Sequence, residues 1–306
     1  MDAFQGFAIH NTKHAPIKQH VIWSYHGQKI SVLTDEFGEP DFEKVATWLA
    51  SEGFEHVEFR NVWVKNVFNL DAVDMDELKS ILRENSLSVS SISGGLLKVP
   101  WWGPADEPEL MKDGTPVKEN QMRMADNCIA AAVKLGAPFI RAFGFTKMAI
   151  MPDEAWDDWI QGVKEITAKA EAHDKTIIIE NEAGCTVSTA ASIQKAFEAV
   201  HSDHCKLLLD PGNLFAAGDI LNDKVFDMVK DITAYIHVKD AVVQSQDPFK
   251  TAWCITGDGE VGWLDIITRF IDHGYDSFWS VETHMGKKDG WDNTVRNLRA
   301  LKILLA

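Results

Sequence analysis

A short apolar run returns roughly every 30 residues along most of this 306-residue chain, and between runs the apolar residues fall into helical spacing. The runs are 54–59 (FEHVEF), 87–92 (LSVSSI), 138–143 (PFIRAF), 176–180 (TIIIE), 205–210 (CKLLLD), 234–238 (AYIHV) and 277–282 (SFWSVE). Before the first of them, Phe42, Val45, Ala46 and Leu49 keep the spacing of one helical face, with Asp41 as N-cap and Gly53 as stop. Val295, Leu298 and Leu301 repeat that pattern in 293–305. Strands alternating with helices predict right-handed βα units on a parallel sheet. With no Gly/Ser-rich linker and no composition break, the even spacing predicts one (β/α)8 TIM barrel over residues 1–306. Closure requires an eighth strand, placed at 20–25 (HVIWSY), with 6–10 (GFAIH) as the alternative.

The later strands end in an unusual way. TIIIENE, KLLLDPGN, YIHVKD and WSVETH are apolar runs that finish on Glu180, Asp210, His237 and Glu282. Side chains alternate faces along a strand, so His237 and Lys239 share a face opposite Ile236 and Val238. Ser280, Glu282 and His284 likewise oppose Trp279 and Val281. In a barrel the four metal-competent groups would all point inward at one level. Three carboxylates clustered in an apolar cavity could not all stay ionised unaided. A divalent cation is therefore expected, Mn²⁺ first, with Mg²⁺, Co²⁺, Fe²⁺ or Zn²⁺ as alternatives. Taken singly, Glu180 could pair with Arg141, and Asp210 could cap the Pro211-Gly212 turn. Glu182 and His284, one strand step beyond the ligands, are expected to meet substrate, and Arg141 at the end of the fourth strand is a further contact.

Residues 94–116 hold four prolines and the adjacent Trp101 and Trp102. Following the third strand, this loop belongs on the C-terminal face, where the tryptophans either cap a pocket as substrate contacts or bury against the rim or a neighbouring subunit. Lys and Arg total 30 against 46 Asp and Glu, a net charge of −16, which disfavours nucleic acid and anionic membranes. Four cysteines without a CxxC pair predict free thiols and a cytoplasmic location. Residues 1–14 do not read as a secretory leader, His10 and His14 read as surface residues, and no apolar run is long enough to span a bilayer.

These marks together resemble the xylose isomerase-like TIM barrels, the superfamily of sugar isomerases and epimerases that includes tagatose 3-epimerase-type enzymes, inosose dehydratases and endonuclease IV relatives. IIIEN, LLLDPGN, YIHVKD, TGDGEVGW (256–263) and WSVETH carry the resemblance, with GFEHVEFR (53–60) similar to the family's second strand; it spans roughly 20–305. The resemblance implies that Glu180, Asp210, His237 and Glu282 are the metal ligands. Glu180 and Glu282 would also exchange a proton with the substrate carbon, and Lys239 would contact substrate. Asn213 stands where many members carry histidine and is taken as a substrate contact. Glu182 replaces a histidine common in the family.

The expected activity is a metal-dependent sugar isomerase or epimerase acting through an enediolate. The alternative is a lyase acting on a keto-sugar, keto-inositol or dehydroshikimate-like acid, since Glu182 or His284 could protonate a departing hydroxyl. A non-catalytic sugar-binding subunit ranks behind both. Trp253 and Trp263, flanking TGDGEVGW, are candidates for stacking on a sugar ring. The expected partner is a small-molecule sugar or keto-sugar, with a homo-oligomer compatible.

Overall fold

The computed structural model describes residues 27–306, so both N-terminal strand candidates, like His10 and His14, lie outside the described residues. Eight parallel strands form the barrel: β1 (Lys29–Val32), β2 (His56–Phe59), β3 (Ser88–Leu96), β4 (Phe139–Phe143), β5 (Thr176–Glu180), β6 (Cys205–Leu209), β7 (Thr233–Val238) and β8 (Phe278–Val281). The ladder runs in the order β1-β8-β7-β6-β5-β4-β3-β2, and a parallel bridge between Leu33 and Glu58 joins its two ends. Seven strands fall on the apolar runs. The eighth is KISV at 29–32, pairing with β8 from Lys29–Phe278 to Val32–Val281. Its inward Ser31 bonds Ser90 at 2.7 Å rather than packing on carbon, so the segment never reads as an apolar run.

Helices follow the strands: α1 (Phe42–Ser51), α2 (Ala72–Glu84), α3 (Val117–Leu135), α4 (Glu154–Glu171), α5 (Ala190–Val200), the short α6 (Pro211–Ala216), α7 (Asp223–Val229), α8 (Trp263–Asp272) and α9 (Gly290–Leu304). Asp41 caps α1 by accepting from the Glu43 amide, and Gly53 at φ +76° turns the chain away. The main core lies between strands and helices, where Ile177, Ile179, Leu207, Leu209, Ile236 and Val238 are buried. The barrel interior holds a second cluster, Ile178, Leu208 and Tyr235 with Phe139 and Phe278 around them. Two residues further along those strands come Glu180, Asp210, His237, Arg141 and Ser280, so the apolar floor gives way to a polar layer nearer the C-terminal face.

Trp101 and Trp102 do not cap the mouth. Trp102 is buried, edge-on to Phe145 at 4.7 Å, and a Cβ at Gly162 of α4 would collide with its ring. Trp101 donates to Asp158 of α4 at 2.6 Å. Both rings find their apolar partner in the barrel wall, which removes the reason for them to face solvent. Among the described residues no helix is long and apolar enough to cross a membrane.

Candidate metal centre and active site

Each side chain of the centre arrives from the end of a strand. Glu180 is the last residue of β5 and His237 the penultimate residue of β7. Asp210 follows β6 and caps α6, its Oδ1 accepting from the Asn213 amide at 2.8 Å. Glu282 follows β8. One ligand atom from each of the four lies within 4.8 Å of every other, and all four side chains are buried. His237 Nδ1 stands 3.5 Å from Glu180, 3.9 Å from Asp210 and 3.3 Å from Glu282.

The imidazole is fixed from behind. Glu58 of β2 places both carboxylate oxygens 3.1 Å from His237 Nε2. Glu58 itself accepts from Ser93, from Ser280 at 2.5 Å and from Tyr235 at 3.0 Å. Burial pushes its carboxyl up, but His237, then Arg141 and Ser280, pull it down to about 2. Ionised Glu58 keeps a proton on Nε2 and leaves Nδ1 as the atom facing the three acids. Nδ1 has no hydrogen-bond partner although it is buried, and Asp210 Oδ2 likewise lacks a well-directed one. Two orphaned acceptors, with the Glu180 and Glu282 carboxylates beside them, fit a divalent cation that would take one nitrogen and three carboxylates as its donors.

Two buried cations share the same carboxylates. Arg141 Nη1 donates to Glu180 at 3.0 Å and Glu282 at 3.1 Å, so the pairing anticipated from sequence lies inside the centre. Lys239 Nζ lies 2.6 Å from Glu282 and 2.9 Å from Asp210, and Gly212 permits this: a Cβ there would come within 2.8 Å of Lys239 Cγ. Burial opposes ionisation of Glu282, but Lys239, His237 and His284 hold its carboxyl well below the ordinary range. Burial and Glu282 push Glu180 up, yet Arg141 and His237 outweigh them and lower it. Asp210 goes the other way, raised to about 6 by burial against the pull of Lys239. Burial pushes His237 down, but Glu58, Glu282 and Glu180 carry it well above its usual value.

Asn213 donates to Glu180 Oε1 at 3.0 Å while buried; it orients that acid where a substrate contact was expected. Glu182 is taken by Lys98 at 2.6 Å. His284 lies at the mouth, with Nε2 3.4 Å from Glu282 and its ring edge-on to Trp253 at 5.7 Å. Asp35, Glu36, Trp253, His284 and Gly286 line a cavity of about 290 Å³ there. Trp253, from the hairpin Asp240–Gln246/Phe249–Cys254, also stands 5.2 Å from Lys239 Nζ. Trp263 is instead buried and donates to the Lys239 carbonyl. The TGDGEVGW loop is architectural: the Asp240 carboxylate accepts from the amides of Gly257, Gly259 and Val261.

The family model for the xylose isomerase-like TIM barrel matches residues 46–302. The chain belongs to that family. Among solved structures, this xylose isomerase-like barrel is similar to the probable 3-DHS dehydratase AsbF from Bacillus anthracis, with 17% identity and a TM-score of 0.70 over 90% of this chain and 98% of that one. It is also similar to the 3-keto-D-glucoside 4-epimerase YcjR from E. coli, with 14% identity and a TM-score of 0.68 over 90% and 98%. A third is the IolI protein with a bound zinc atom, with 14% identity and a TM-score of 0.71 over 91% and 98%. At such identities the likeness establishes the shared barrel. No curated protein matches the chain in sequence.

Sequence reasoning missed three residues of this xylose isomerase-like centre. Glu58 carried the signal that exposed Glu180, an acid within an apolar strand, but was read only as part of the second strand. Arg60 bonds Asp35 at 2.9 Å and Glu36 at 3.0 Å and reaches within 3.7 Å of Glu282. Lys98 lies 4.5 Å above the Phe143 ring. Both are ordinary surface residue types in sequence, and no pattern marks them.

Proposed function

We propose that this chain is a divalent-metal-dependent sugar isomerase or epimerase, with Glu180, Asp210, His237 and Glu282 holding the ion and Glu180 and Glu282 exchanging the substrate's carbon-bound proton. The observation that carries the reading is the buried convergence of the three carboxylates on His237 Nδ1, an acceptor with no hydrogen-bond partner. A cation bound there would supply Lewis acidity, polarising a carbonyl and offsetting the charge of an enediolate. The residues do the rest. Glu180 and Glu282 are both held ionised, so either can accept a proton α to a carbonyl. Return of that proton to the neighbouring carbon isomerises the sugar; return to the opposite face, from the other carboxyl, inverts the centre. Lys239 holds the orientation of Glu282, Asn213 that of Glu180, and Trp253 offers an apolar face to the sugar.

His284 supports a second reading, a lyase. Standing 3.4 Å from Glu282 on the solvent side, it is the group able to protonate a departing hydroxyl. The test is metal analysis of the purified protein, followed by incubation of the metal-loaded chain with a keto-sugar panel in D2O. Deuterium in recovered substrate indicates isomerase or epimerase chemistry, and an enone absorbance indicates the lyase. Glu180→Gln and Glu282→Gln are each expected to lower turnover by roughly 10²- to 10⁴-fold. Failure of the loaded wild type to exchange deuterium or form an enone with any panel member would sink both readings.

A further inference from the structure

A second cavity lies beside the mouth. About 380 Å³ in volume, it lies between the segment after β1 and the tight hairpin Asn61–Val62/Lys65–Asn66 after β2, with Asp35, Pro40, Phe42, Val62, Trp63 and Val64 in its lining. That size suits one ring of a small molecule. Asp35 lines both this cleft and the cavity beside His284 and Trp253. Arg60 sets how close the cleft is to the chemistry: Nη1 lies 3.7 Å from Glu282 Oε1, and Nε donates to Asp35 Oδ2 at 2.9 Å. One guanidinium therefore spans the gap between the proposed acid–base carboxylate and the wall common to the two cavities.

Asp35 also has an acceptor to spare. Its Oδ2 takes hydrogen bonds from Arg60 and from Asn61 at 2.7 Å, whereas Oδ1 is buried and takes none. A buried oxygen without a donor is uncommon and calls for one. The opposite wall is apolar and is held by strained backbone, with Trp63 at φ +49° and Val64 at φ +65°. A β-branched residue in that region persists only where its surroundings compel it. The charge at this end of the barrel opposes an anion, because Asp35 and Glu36 share the single guanidinium of Arg60.

We propose that this cleft is a second subsite, which takes an uncharged ring substituent of the substrate, packed on Val62 and Trp63 and donating a hydroxyl to Asp35 Oδ1 where the ring carries one. The inference rests on the sugar-processing reading above for its choice of ligand. It makes the substrate a substituted sugar, with the non-reacting ring lodged outside the centre.

Matched methyl and phenyl glycosides of a hexose and pentose panel, titrated by calorimetry or saturation-transfer NMR, test it. In at least one pair the phenyl compound should bind on the order of tenfold tighter, the gain expected for burying one aromatic face. Trp63→Ala should reduce that preference towards unity. Val64→Asp should weaken it as well, at a position 83% exposed whose left-handed backbone aspartate tolerates better than valine. Equal binding within every pair, or a preference that survives both substitutions, overturns the subsite. A chain that exchanges deuterium with free keto-sugars but shows no phenyl preference fails here alone. One that prefers phenyl glycosides but neither binds metal nor exchanges deuterium fails in the proposed reaction instead.

Discussion

Glu58 and Glu182 are both glutamates near the ends of barrel strands, and their surroundings give them different weight. Glu58 is wholly buried and accepts from His237, Tyr235, Ser93 and Ser280. Its carboxylate would act on a bound metal only through the imidazole. Glu58→Gln should thus weaken metal binding by roughly 10- to 100-fold, measured by competition with a chromophoric chelator; unchanged affinity would refute that role. Glu182 meets Lys98 in a partly exposed pair, worth at most about 1 kcal/mol, so Glu182→Gln should barely move the denaturation midpoint. Arg141→Leu is the opposite case. It takes the shared guanidinium from Glu180 and Glu282, both buried beside it at 3.0 and 3.1 Å, and should destabilise the metal-free fold by roughly 3–5 kcal/mol in denaturant titrations.

At the scale of elements, the structure shows which sequence signals were readable. Seven strands were legible because their outward residues pack on helices and their inward residues, at the lower levels, pack on one another, giving near-continuous apolar runs. β1 was not, because its inward Ser31 joins a hydroxyl chain through Ser90 to Tyr235 at 2.8 Å. The convergence of Glu180, Asp210, His237 and Glu282 was legible because they break four apolar runs at the same level. Glu58 breaks a fifth, but nothing in sequence tells whether an inward carboxylate will meet an ion or an imidazole. The paired tryptophans misled because a Pro-rich loop gives no indication of which wall it lies against. TGDGEVGW is a family mark whose local work is structural: Gly259 has no room for a Cβ beside Asp240. Asp240→Ala would leave the Gly257, Gly259 and Val261 amides without their acceptor, an expected loss of roughly 2–4 kcal/mol. Protease sensitivity should rise first at 255–262, and an unchanged melting temperature would show that the loop is held by something else.

Over the whole molecule most acids meet solvent, but four lie inside the barrel, where their charge must be compensated. Inside the barrel, Glu58, Glu180, Asp210 and Glu282 face only Arg141 and Lys239 among fully buried cations of the described residues. With neutral His237 the balance is two negative charges, which a divalent ion cancels. Without the ion, protons substitute: Asp210 is raised to about 6 by burial, and His237 lies well above its usual value because Glu58, Glu282 and Glu180 outweigh its burial. The signs agree. A carboxyl raised in the folded state favours folding as pH falls from about 6 towards its unfolded value near 4. A raised imidazole contributes stability that is fully present below its unfolded value and is lost as pH rises through the folded one. Both protons must leave when a cation binds, so metal and protons compete for one centre. Saturating metal, on the order of a thousand times Kd, should add about 4 kcal/mol at pH 7.5, and chelation should remove it. Between pH 7.5 and 5.5 that increment should shrink steadily, followed as the difference in melting temperature with and without metal. Calorimetry in buffers of differing ionisation enthalpy should record proton release on binding. A metal increment independent of pH, with no proton released, would mean that Asp210 and His237 are already deprotonated and that the barrel tolerates its uncompensated charge by other means.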